Sequence, residues 1–107
     1  MQFSTESLSS FEIEIVRRSL QATVEGHFFP DWEFQSLIGV DRTTTREVYR
    51  EWPHRTLSKD DFSCAVIGSL SNLLGYPHGK EDELILYVPE GTDAIRKTLD
   101  HLITLGL

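Results

Sequence analysis

The stretch TLSKDDFSCAVIGSLSNLLG, residues 56–75, limits the fold of this chain more than any other segment. Phe62, Val66, Leu70, Leu73 and Leu74 recur at the spacing of one helical face, a period that a strand cannot keep. Ser58 followed by Asp61 approximates a capping box, Leu57 can reach Phe62 as a hydrophobic staple, and Gly75 supplies the stop. Ala65, Gly68, Ser69 and Asn72 form a second, small-residue face where another helix can approach closely. The segment is therefore expected at the centre of a helical bundle, with Cys64 packed inside the pattern.

The flanking sequence supplies partners for it. Ser9 and Glu12 form a capping box for a helix from Ser10 to about Glu25, with Phe11, Ile15, Val16, Leu20 and Val24 inward and Ile13 widening that face. Gly26 weakens its end. A short helix starting at Pro30 or Asp31 should run to Ile38, where Gly39 can take a left-handed backbone. Asp41 can cap the next helix, which uses Val48 and Trp52 for its core face, with Thr45 a poorer fit, and ends before Pro53. The last helix covers residues 93–105, with Thr92 or Asp93 as cap and Ile95, Leu99, Leu102 and Ile103 on one side. The run LILYV, residues 84–88, is too short to show its period and lies between turn-like segments, so an extended form stays open. Were it a strand, it would need a neighbour, and a homodimer paired through it is one solution.

The expected fold is all-α: a compact orthogonal or up-down bundle of four to five helices, with 84–88 as one short extended segment in the alternative. At 107 residues a single domain covering 1–107 is the natural unit. Seventeen acidic against ten basic side chains leave a net charge of -7, which opposes phosphate backbones and anionic lipid and favours basic or neutral partners. No run of apolar residues is long enough for a membrane span, and the first residues lack the basic and apolar regions of a signal peptide. One cysteine permits no internal disulfide. A cytoplasmic protein without a membrane segment is expected.

Residues 36–52, SLIGVDRTTTREVYREW, pose the sharpest functional question. In a helix-turn-helix, Gly39 and Val40 would form the corner, and Arg42, Thr43, Thr44 and Arg46 would face base edges, with Arg50 on a phosphate. Asp41, Glu47 and Glu51 offset the arginines, Gln35 stands where a small residue would let the helices meet, and Thr45 is polar at an anchor position. DNA binding is the alternative; the leading expectation is a non-enzymatic interaction module. Aromatic and arginine-rich patches suit protein contacts, and Trp32, Tyr49, Trp52, Tyr76 and His78 are the candidate protein-binding residues.

Nothing converges on catalysis. Cys64 has no histidine at local spacing, and His27, His54, His78 and His101 are scattered without a metal-ligand pattern. Lys80-Glu81-Asp82-Glu83 lacks the glycine and alternating oxygens of a calcium loop, and Asp60 and Asp61 suit a helix start. Gly75 and Gly79 bracket YPH without the lysine of a phosphate loop. No cofactor or metal is expected.

The segments FFPDWEF, GV, WP and NLLGYPHG together resemble a family of small uncharacterised bacterial proteins. These segments lie between Phe28 and Gly79 and so span about half of the chain. The likeness implies a bacterial origin and a compact α-rich domain, and no reaction or ligand.

Overall fold

The computed structural model describes residues 4–107, which form a 3-10 turn, Thr5–Ser7, and six helices: α1 (Ser10–Glu25), α2 (Asp31–Ile38), α3 (Arg42–Glu51), α4 (Lys59–Gly75), α5 (Glu81–Tyr87) and α6 (Thr92–Thr104). The all-α expectation holds, with one helix more than the upper count and no strand among the described residues.

Local signals fix most boundaries. The Ser9 hydroxyl accepts from the Glu12 N–H at 3.1 Å and the Glu12 carboxylate accepts from the Ser9 N–H at 2.9 Å, a complete capping box for α1. Asp41 Oδ1 accepts from the Thr44 N–H at 2.7 Å, and Ser58 Oγ accepts from the Asp61 N–H at 3.2 Å. Gly39 ends α2 at φ +102°, in the left-handed region that a side chain resists. At α6 the cap is Gly91, so Thr92 is already helical.

Helices α1 and α4 form the frame. α4 packs against α1, α2, α3 and α6, while α1 also meets α3, α5 and α6. Phe62, Val66, Leu70 and Leu73 are buried as the stripe requires, and Leu74 is half-buried. The small-residue face receives α2: a Cβ on Gly68 would lie 2.3 Å from the Ile38 carbonyl oxygen, so only glycine lets the end of α2 come this near. Asn72 secures the approach, its Nδ2 donating to the carbonyls of Leu37 and Gly68 at 2.8 Å each. A half-buried side-chain amide here satisfies a carbonyl that the end of α2 leaves orphaned.

Several expectations need correction. Residues 84–87 are helical, not extended, because Leu84 and Val88 share one face, and both are buried. The Leu84 N–H donates to the Lys80 carbonyl and the Val88 N–H to the Leu84 carbonyl, so these backbone groups are satisfied within the chain. A strand-paired homodimer through this segment loses its basis. Phe11 and Ile103, assigned inward, are 53% and 55% exposed, since each stands at the margin of its helix's apolar face. Cys64 is half-buried rather than enclosed, with Gly39 as a close neighbour. Among the described residues no helix is long and apolar enough to cross a membrane.

Candidate functional site

A cleft of about 600 Å³ opens where α1 ends, between residues 26–31 and residues 76–80. That volume lies in the range of ligand pockets. One bank is set by Gly26, whose missing side chain admits the Phe28 ring; a Cβ there would sit 2.5 Å from it. Phe28 and Phe29 are thereby folded inward, 2% and 3% exposed. The other bank is the loop leaving α4. Its Tyr76 meets Phe29 edge-on at 5.6 Å, and its His78 meets Phe28 edge-on at 5.1 Å. Tyr87 of α5 packs on Phe28 from behind at 6.0 Å. Edge-to-face pairs of this kind hold the two loops in register.

His78 has no free nitrogen. Its Nδ1 accepts from the Lys80 N–H at 2.9 Å, which places the ring hydrogen on Nε2, and Nε2 donates to the Leu73 carbonyl at 3.0 Å. The ring ties the loop to the end of α4 and has no lone pair left to act as a base. Burial raises the Tyr76 phenol above its ordinary value, and the charge and hydrogen bond of Glu33 raise it further.

Arg42 forms the floor. Its Nη1 donates to the carbonyls of Thr23 and Val24 at 3.1 and 3.2 Å, its Nη2 to the Phe29 carbonyl at 3.3 Å and to Asp31 at 2.9 Å, and its guanidinium lies 4.4 Å from the centre of the Phe34 ring. A fixed cation at the end of α1 answers both the orphan carbonyls and the negative pole of that helix. Glu25, His27 and Asp31 stand exposed on the rim, and Lys80 is half-buried.

The candidate protein-binding residues do not form one patch. Tyr76 and His78 line the cleft, and Trp32, 80% exposed, follows directly on its rim residue Asp31. Trp52 is core: 3% exposed, stacked on Phe62 at 5.9 Å, with its Nε1 donating to the Ile13 carbonyl at 2.9 Å. Ile13 is about 16 Å along α1 from the cleft. Tyr49 is half-buried against α1; burial raises its phenol, Glu25 adds to the effect and Arg17 opposes it.

The candidate nucleic-acid residues divide likewise. Arg42, expected outward, points into the fold; Thr43 and Arg50 are exposed; Thr44 and Arg46 are half-buried. α2 and α3 each pack on α4, and Arg42 at the start of α3 reaches back to Asp31 and the Phe34 ring of α2 instead of facing outward; Thr45 is fully buried with its hydroxyl donating to the Asp41 carbonyl. The local pattern of the corner showed none of this, because Arg42 finds its acceptors 11 to 19 residues back in the chain.

Glu25, His27, Asp31 and Lys80 were not among the candidate site residues, although a glycine after α1 and the aromatic pair that follows it mark a chain reversal there. Among the described residues no group of three or more metal-binding side chains converges. Comparison of the chain with protein-family models, with curated proteins and with solved structures gives no match.

Proposed function

We propose that the chain is a non-enzymatic cytoplasmic protein-interaction module, and that a partner segment binds along the cleft with Trp32 as its anchor. One observation carries this reading: a tryptophan 80% exposed stands beside the rim of an aromatic-walled cleft. Tryptophan is the side chain most enriched among interface residues that dominate affinity, and here it adds no packing to the fold. The cleft groups that resemble catalytic ones are already employed, His78 by two backbone partners and Arg42 by carbonyls of α1 and the following loop. Positioning and recognition are what such a site offers.

The test is affinity capture from the native cell with the wild type and with Trp32→Ala, identifying retained proteins and assaying nucleic acid in the same eluate. A protein partner retained by the wild type and lost at least roughly tenfold by the variant is expected, since truncating a dominant interface residue costs about 2 kcal/mol or more. Equal retention by the two forms, or nucleic acid in place of protein, overturns the proposal.

A further inference from the structure

Helix α5 carries a second surface, none of whose outward residues lines the cleft. Leu84 and Val88 are buried on its inner side, whereas positions 81, 82, 83, 85 and 86 are exposed. Leu86 is 80% exposed and Ile85 47% exposed, consecutive aliphatic side chains both open to solvent, with Pro89 exposed beyond them. Glu81, Asp82 and Glu83 fill the first turn and are exposed; no ion pair among the described residues engages them. Glu90, past the other end, is held by Arg18 at 3.1 Å. Acids in a first turn suit the helix dipole, but that accounts for the charges alone. It leaves the aliphatic pair beside them without a structural role.

We propose that the outer face of α5 docks a cationic amphipathic protein segment, its aliphatic side chains on Ile85 and Leu86 and its lysines or arginines against Glu81, Asp82 and Glu83. Charge complementarity selects this occupant. A second copy of the chain offers no basic side chain from its own α5 to these acids, and two molecules of net charge -7 repel one another. An anionic bilayer is repelled for the same reason. The contact is small and partly electrostatic, so it forms fast and weakens with salt. It stands independently of the cleft.

The probe is a fluorescent synthetic helix of leucine and lysine, with leucines at helical spacing on one face, alongside its glutamate-for-lysine counterpart. Fluorescence anisotropy is read at low and at physiological salt on the whole chain. Wild type is expected to bind the lysine peptide and not the glutamate peptide. Ile85→Ser/Leu86→Ser should lose at least about tenfold in affinity, and Glu81→Gln/Asp82→Asn/Glu83→Gln should lose the salt dependence. Trp32→Ala should bind as the wild type does, which separates this surface from the cleft. All substituted side chains are exposed, so unchanged thermal midpoints confirm folding. The proposal is overturned if the double variant binds like the wild type, if the wild type binds neither peptide, if loss of the aliphatic pair instead abolishes self-association, or if the chain binds lipid vesicles but not the peptide.

Discussion

Replacing Arg42 by alanine separates a structural clamp from a base-reading side chain. The guanidinium is 24% exposed and donates to the carbonyls of Thr23, Val24 and Phe29. A hydrogen bond from a charged donor contributes roughly 1.5–3 kcal/mol when its partner would otherwise be stranded. The cleft is open to water, however, so the released carbonyls rehydrate, and the three bonds together retain about the value of one. The Asp31 pair adds little, because that carboxylate is 95% exposed. The contact with the Phe34 ring adds about 0.5–1 kcal/mol. The sum is a destabilisation of about 2–4 kcal/mol, which lowers the thermal midpoint of a domain this size by about 10–20 °C. Lysine at the same position keeps the charge but not the fork of donors, and should recover less than half of the loss. Urea unfolding followed by circular dichroism measures both variants. A change below about 0.5 kcal/mol for Arg42→Ala, within the range of an ordinary surface substitution, refutes the clamp. Were the variant equally stable yet impaired in binding mixed duplexes at low salt, the helix-turn-helix assignment would be restored.

Two further substitutions probe the frame. Gly68→Ala should destabilise by about 2 kcal/mol in denaturant unfolding, since the overpacking of a backbone atom outweighs the gain of about 1 kcal/mol in helix propensity. Gly75→Ala, with open space around its Cβ, should be neutral or stabilising, and equal effects at the two glycines would dismiss the close approach of α2. Glu12 governs the acid response: partial burial raises its carboxyl, but the Ser9 N–H and the His101 ring, at 2.6 Å, outweigh it and hold the group below its ordinary 4.5. A carboxyl lowered in the fold stabilises above the unfolded value and loses that stabilisation as pH falls through the folded one. Wild type should therefore lose stability relative to Glu12→Gln below pH 4.5 in parallel unfolding titrations; identical profiles would remove the pair from that role.

The helices were legible because their determinants are short-range. The caps at Ser9, Asp41 and Ser58 and the left-handed glycine at 39 act within one turn, and the stripe from Phe62 to Leu73 needs only its own period. Even the close approach at Gly68 was foreshadowed by small side chains on one face of α4. The seven residues of α5 show where this fails: a helix of two turns has too little sequence to display a period, and Leu84 and Val88 settle its form only by meeting α1.

The two tryptophans mark the division for the candidate site. Helical spacing puts Trp52 with Val48 on a core face, yet both tryptophans stand in the sequence as candidates for a partner; Trp32 is in solvent and Trp52 is stacked on Phe62 and bonded to Ile13. Burial depends on what lies opposite, and Ile13 is 39 residues away along the chain. The inward turn of Arg42 and the joining of Phe28 to His78 are decided in the same way, by partners that only folding brings near. Helix type and ends follow from forces acting over a few residues. Which side chains are left for a partner follows from the balance between burial and solvation across the whole packed molecule, and that balance exists only once the helices have met.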